Sequence, residues 1–326
     1  MTSSTSLASQ FFDLAPVKRL ERWLNAMPHP SLVVEITSMH VAAAHWSAAG
    51  RHLESHAIEP LPPGAVMASP VDTNIVQPDA VRSVLRKVFS RVPAHGAPLA
   101  LLIPDPVVRV FILPFDTLPR RADEALSLLR WRLKKSVPFD VDETVVSWMR
   151  QASRQGALEV VTAVGRQRII KEYEDLLQPL GASAGVVLSS TLGTLPLLGD
   201  EGSTLLVRIS GKTLTTVIVS AGNLCVYRST ELSSEAAALD PQHMLDEIFP
   251  AVAYFQDTWG GAPDRALIAG FGPREEIFRR ALTAELQSPI AALSQSDKVL
   301  ELDSSAKDLI HQDLDALVGW MLNGGS

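Results

Sequence analysis

The sequence predicts an α/β protein of two lobes, with a smaller α/β subdomain inserted into the first. Three observations carry this. Strand-like apolar runs alternate with amphipathic helical patterns along most of the chain. A segment that begins at Ser31 returns at Thr204. The chain also has 326 residues, 46% of them hydrophobic, enough for two cores that each offset the ordering entropy of their own segment.

The opening, MTSSTSLASQ, has neither a positive charge nor an apolar core segment, so it is expected to be a flexible Ser/Thr-rich tail and not a signal peptide. A short helix is expected from Pro16 to about Ala26, since proline suits a first helical position and Val17, Leu20, Trp23, Leu24 and Met27 share one face. Packing on the body is its simplest role, and Lys18, Arg19 and Arg22 suit a membrane surface or a partner as well. Tail and helix make up residues 1–30.

Strands are expected at Leu32–Ile36, Met39–Trp46 and His52–Glu59, then a Pro-rich connection from Pro60 to Pro78 and a helix over Asp79–Arg91. Leu99–Ile103 and Val108–Leu113 are strands around the turn Pro104-Asp105-Pro106. The helix Ala122–Lys135 has Asp123 and Glu124 in its first turn and basic residues in its last, which complements the helix dipole. Val145–Arg150 and Leu158–Val164 are strands, Arg168–Leu177 is a helix closed by Gly181, and Val186–Leu188 has the apolar character of a buried strand.

The second half repeats this grammar. Leu205–Ile209, Leu214–Val219 and Leu224–Arg228 are strands, with Ala221-Gly222-Asn223 as a turn. Asp240-Pro241 opens a helix that carries Leu245, Ile248, Phe249, Val252 and Phe255 and ends near Gly260-Gly261. Ala266–Ala269 is a strand leading through Gly270-Phe271-Gly272 into a helix from Pro273 to about Leu286. A last helix carries Ile310, Leu314, Leu317 and Met321 and stops at Asn323-Gly324-Gly325.

Composition narrows the function. A net charge of −7 argues against general nucleic-acid binding, which needs a basic face. The single cysteine, Cys225, excludes an internal disulfide, fits a reducing compartment and reads as a small buried hydrophobe. No apolar run approaches the ~20 residues that cross a bilayer. The histidines are scattered and no metal motif is present.

The repeat aligns SLVVEITSMHVAAAHWSA with TLLVRISGKTLTTVIVSA without a gap. Each copy is strand, tight turn and strand, followed by a glycine (Gly50, Gly222) and a third strand. This resembles the opening of both lobes in the actin, hexokinase and heat-shock-70 superfamily, whose hairpin turns hold the phosphates of ATP. IPDPVVRVFILPFDTLP (Ile103–Pro119) and KKSVPFDVDETVVSW (Lys134–Trp148) resemble the inserted subdomain of the PilM family, the actin-like proteins of type IV pilus assembly. IAGFGPREEIFRRAL (Ile268–Leu282) resembles the superfamily's strand, glycine turn and helix against adenosine.

The resemblance implies a two-lobed actin-like ATPase fold of duplicated ribonuclease-H-like domains. Residues 31–98, 165–201 and 305–326 would form the first lobe, 99–164 the inserted subdomain and 202–304 the second lobe. It further implies a cytoplasmic scaffold at the inner face of the inner membrane. Such a scaffold binds a short cytoplasmic peptide of a PilN-like inner-membrane protein and works beside other pilus assembly components. Peripheral membrane association and homo-oligomerisation stay open.

The nucleotide motif is eroded. Active members of the superfamily carry D-x-G turns, in which glycine lets the backbone approach phosphate and the carboxylate organises Mg²⁺. Here the first turn reads Glu35-Ile36-Thr37, with a β-branched residue for the glycine. The second reads Arg208-Ile209-Ser210-Gly211, with the charge reversed and the glycine displaced. Arginine neither binds Mg²⁺ nor acts as a base near neutral pH, so no catalytic residue and no ATP hydrolysis are expected. Binding of ATP with Mg²⁺ without turnover stays open through Arg208, Lys212, Thr213, Gly270 and Gly272. The alternative is that both turns are only hairpin turns, with Glu35 and Arg208 paired across the cleft. The GKT of Ser210-Gly211-Lys212-Thr213 is no P-loop, because Leu206 stands where the first glycine belongs and a strand follows instead of a helix.

Arg120, Arg121, Arg130, Arg132, Lys134 and Lys135 surround Trp131. A solvated helix face is the simpler reading, and contact with an acidic segment or anionic headgroups is the functional one. The resemblance places the partner peptide in this neighbourhood, represented by Val107, Arg109, Phe111, Trp131, Pro138 and Phe139. Rival readings are a type II secretion actin-like component, an active actin-like ATPase, and a small-molecule kinase of the superfamily.

Overall fold

The computed structural model describes residues 29–47, 52–94, 96, 98–152, 158–233, 238–286 and 288–323. The helix expected at Pro16–Ala26 lies outside them. In the first half the elements are β1 (Leu32–Ile36), β2 (His40–Trp46), β3 (Leu53–Pro60), α1 (Pro78–Arg91), β4 (Pro98–Ile103), β5 (Arg109–Phe115), α2 (Ala122–Leu133), β6 (Thr144–Ala152), β7 (Leu158–Arg166), α3 (Gln167–Glu174), β8 (Ser183–Ser189) and α4 (Ser190–Thr194). The second half has β9 (Ser203–Ser210), β10 (Thr213–Ser220), β11 (Asn223–Glu231), α5 (Pro241–Trp259), β12 (Arg265–Ala269), α6 (Glu275–Glu285), β13 (Ile290–Ala292), α7 (Asp297–Leu300), α8 (Ser304–His311) and α9 (Asp315–Asn323).

Two five-stranded sheets share one plan: β3-β2-β1-β4-β8 and β11-β10-β9-β12-β13. Within each, a three-stranded antiparallel meander is followed by two parallel strands. The hairpin registers coincide under the sequence repeat. Glu35 pairs with Ala42 in the first sheet, and Arg208 pairs with Thr215 in the second. β1 and β9 lie at the centres of their sheets and are buried almost throughout, as continuous apolar runs require.

The cores follow from these sheets. One face of the first sheet packs on α1 and α3 through Val34, Leu85 and Tyr173, and one face of the second packs on α5 and α6 through Val207, Ile248 and Phe278. The remaining faces share a core with α4 and α9, in which Leu102 and Leu206 from the two sheets join Leu317 and Trp320. The lobes are thus joined by apolar contact below the hairpin turns.

The third sheet, β5-β7-β6, carries α2 on one face. Fully buried Gln151 on β6 ties it to the second lobe. Its side-chain amide donates to the Leu224 carbonyl at 2.7 Å and accepts from the Leu224 amide at 3.1 Å.

Several expectations need correction. β4, assigned from sequence to the insert with residues 99–164, pairs in parallel with β1 and β8 and belongs to the first sheet. The chain leaves that sheet at Pro104-Asp105-Pro106. The single last helix is two helices, because Asp313 adopts a left-handed φ of 60°. Its amide donates to Ile310 and that of Leu314 to Leu309, a Schellman closure of α8. α4 and β13 were not anticipated, being only five and three residues long.

Candidate functional site

The cleft between the lobes is set by the two hairpin turns. In the first, the Thr37 hydroxyl accepts from the amides of Met39 at 3.1 Å and His40 at 3.0 Å and donates to the His40 carbonyl. This is the local side-chain turn that threonine favours, and it commits both amides. In the second, Ser210 pairs with Thr213, which leaves Gly211-Lys212 as a two-residue turn with Gly211 at a φ of 59°. Lys212 points to solvent. The turns touch: a Cβ on Gly211 would stand 2.7 Å from the Ser38 hydroxyl.

Beneath the turns lies Arg208, 3% exposed. Its Nε donates to Asp315 Oδ2 at 2.8 Å and its Nη2 to Asp315 Oδ1 at 3.3 Å. Nη2 also stands 3.6 Å from Glu35 Oε1, and Nη1 stands 4.0 Å from Asp105 Oδ2. One guanidinium from β9 therefore faces three buried carboxyl groups, on β1, after β4 and on α9. Burial opposes its charge, but Asp315, Glu35 and Asp105 outweigh that and raise its pKa. For Glu35, burial is the largest influence and pushes the carboxyl up, but the His40 contact and Arg208 together hold it below its usual value.

Hydroxyl groups complete the arrangement. Asp105 accepts from the Thr191 amide at 2.9 Å and from the hydroxyls of Thr191 at 2.5 Å, Thr215 at 2.8 Å and Tyr227 at 3.2 Å. Asp315 accepts from the Thr194 hydroxyl at 2.6 Å. Burial, then the charge of Asp105, push the Tyr227 hydroxyl well above its ordinary value. The Glu35 oxygens, His40 Nε2 and Arg208 Nη1 are buried without a hydrogen-bond partner.

Sequence reasoning singled out Glu35 and Arg208 and missed Asp105 and Asp315. Asp315 sits among apolar residues in LDALVGWML, and Asp105 follows the apolar strand PLALLI. Such acids are expensive to bury unless paired, and that was the available signal.

The remaining nucleotide candidates separate. Ser210 closes the second hairpin opposite Thr213. Gly270, at a φ of 81°, has a structural role, because a Cβ there would overlap the Ile209 carbonyl oxygen at 1.9 Å. Its amide donates to Asp313, whose carboxyl is pushed up by burial and by Asp315. Gly272 is exposed, with open space where a Cβ would stand.

The six residues proposed for partner contact also divide. Val107, 1% exposed, lies in the core of the first sheet with α1 and α3 and is not available to a partner, a correction that follows from its place in the turn leaving β4. Phe111 and Phe139 are half-buried together under α2. Arg109, Trp131 and Pro138 are exposed.

Cys225 is buried, and burial with the nearby Glu159 charge pushes its thiol up to about 12, the environment of an inert packing thiol. Among the described residues no His, Cys, Asp or Glu cluster could hold a metal ion, and no helix is long and apolar enough to cross a membrane.

No protein-family model matches the chain, and no curated protein matches it in sequence. Solved structures do match. The PilM–PilN type IV pilus biogenesis complex superposes with a TM-score of 0.72 at 17% identity, over 92% of this chain and 100% of that one. A Bacteroides thetaiotaomicron protein of actin-like ATPase fold and unknown function matches at 0.51 and 9% identity, over 89% of this chain and 95% of its own. The cytoplasmic domain of EpsL, an inner-membrane component of the Vibrio cholerae type II secretion system, matches at 0.45 and 13% identity over 73% of this chain and 80% of its own. The fold is the actin-like ATPase fold.

Proposed function

We propose that this chain is an actin-like scaffold of type IV pilus assembly at the cytoplasmic face of the inner membrane. It holds a short cytoplasmic peptide of a PilN-like inner-membrane protein and does not turn over ATP. The first part is supported by the likeness to the PilM–PilN complex along almost the whole chain. A peptide partner suits the third sheet, whose outer strands β5 and β6 each pair on one side only among the described residues. An unpaired edge takes an extended segment by strand addition.

One observation carries the loss of turnover: Arg208, buried between Asp315, Glu35 and Asp105. A phosphate–magnesium group does not fit these residues. The cleft carboxyl groups already share a resident cation, the first turn's amides are spent on Thr37, and the two turns are in contact. A guanidinium cannot ligate a metal or accept a proton near neutral pH.

The test is affinity capture from detergent-solubilised native membranes, with and without Mg-ATP, read by mass spectrometry. The proposal expects a bitopic inner-membrane protein with a short cytoplasmic N-terminus, recovered equally in both conditions. Recovery of soluble metabolic enzymes alone, or recovery that depends on ATP, contradicts it.

A further inference from the structure

The end of α2 presents a surface that the scaffold reading does not use. Trp131 is 69% exposed, far more than packing requires of an indole. Lys134, the C-cap of the helix, follows at i+3 and so lies on the Trp131 side, Lys135 comes next in the turn, and Arg132 adjoins them. Arg109, on β5, is exposed too. Strand alternation puts it on the same face as Phe111, which packs with Leu133, Val137 and Phe139 beneath the loop that follows α2. All four basic side chains are exposed, and none makes a salt bridge or side-chain hydrogen bond among the described residues.

Among the described residues the acids that follow, Asp140, Asp142 and Glu143, make no salt bridge with this group. Asp140 caps the Asp142 amide, and Glu143 pairs with Arg166. Cations at a helix C-terminus are favoured by its dipole, which accounts for Lys134 and Lys135 but not for an exposed indole between them and Arg130. A basic, aromatic, exposed patch on a chain of net charge −7 is complementary to an anionic surface. Indole rings rest at headgroup depth, and long basic side chains reach the phosphates around them. An acidic peptide would be better served by a groove than by the outside of a helix.

We infer that the C-terminal end of α2, with Trp131 at its centre and Arg132, Lys134 and Lys135 beside it, docks this protein peripherally on an anionic phospholipid surface. With twelve residues, α2 lies on the bilayer and does not cross it. The contact is independent of the peptide and uses a helix face instead of a strand edge.

The test is flotation of the purified full chain, with no partner present, on vesicles of equal parts phosphatidylglycerol and phosphatidylcholine, compared with phosphatidylcholine alone. The expected result is binding to the anionic vesicles only, falling steeply with added salt. Each basic residue near the surface contributes about five-fold to partitioning. The triple variant Arg132→Glu, Lys134→Glu, Lys135→Glu therefore loses about a hundred-fold or more, and Trp131→Ala loses binding with its charges intact. All four positions are exposed, so both variants keep the wild-type circular dichroism spectrum. Anionic-vesicle binding that survives the triple variant assigns the contact to another surface and overturns the inference, as does no vesicle binding by the wild-type chain. Displacement from vesicles by soluble poly-glutamate at low concentration overturns it in favour of an acidic peptide. None of these outcomes bears on capture of a pilus protein.

Discussion

Glu35 and Arg208 hold the same position in the two copies of the repeat, and their side chains meet, with Arg208 Nη2 3.6 Å from Glu35 Oε1. Equivalent places in two like lobes have taken opposite charges. Asp315 and Asp105 turn that pair into a cluster, so the lobes are bridged by side chains where the superfamily resemblance implies a ligand.

Removing the cation should therefore cost more than its own contacts. Arg208→Met leaves Glu35, Asp105 and Asp315 buried without it and is expected to lose about 3–5 kcal/mol of stability, as when one partner of a buried ion pair is deleted. Arg208→Lys recovers only part, because an ammonium cannot reproduce the two bonds to Asp315. Urea denaturation monitored by tryptophan fluorescence measures both.

Gly211→Ala tests the contact between turns. A left-handed φ of 59° costs an alanine roughly 1–2 kcal/mol, and its methyl group must displace the Ser38 hydroxyl. Ser38→Gly in the same chain removes the second penalty and keeps the first. Thermal denaturation of the single and double variants separates them.

Gln151→Ala is expected to loosen the third sheet from the second lobe. It strands the buried amide and carbonyl of Leu224, each at about 1–3 kcal/mol. Gln151→Glu should be worse, since it loses the donor and sets a carboxylate beside Glu159, which Gln151 now contacts at 3.1 Å. Hydrogen exchange at Leu224 reports the local opening.

The acids of the cleft pull in opposite directions with pH. Glu35 has a lowered folded-state pKa, so its contribution is complete above its unfolded value and is lost as pH falls through the folded one. Asp313 has a raised pKa, so its ionisation favours the unfolded chain and stability is lost as pH rises from its unfolded value through its folded one. Asp313→Asn keeps a side chain suited to left-handed φ and an acceptor for the Gly270 amide. It should raise the urea midpoint at pH 7, with the gain fading towards the ordinary aspartate value of 3.8.

Much of this was legible in the sequence because it is local or periodic. The gapless repeat specified two hairpins of equal register, and with them the Glu35–Arg208 equivalence. The partners of Asp105 were not legible: Thr191, Thr215 and Tyr227 lie 86, 110 and 122 residues away, and no spacing rule reaches so far. β4 was misassigned for a related reason. It is contiguous with β5 across a short turn, while its true neighbours β1 and β8 are distant in the chain. The break at Asp313 was hidden because the apolar positions Ile310, Leu314 and Leu317 keep helical spacing across it.

The most direct test of the account is isothermal titration calorimetry of the purified chain with Mg-ATP. An occupied cleft with its own guanidinium predicts no heat beyond dilution. Saturable binding of Mg-ATP by the wild-type protein would contradict the claim that Arg208 has replaced the ligand.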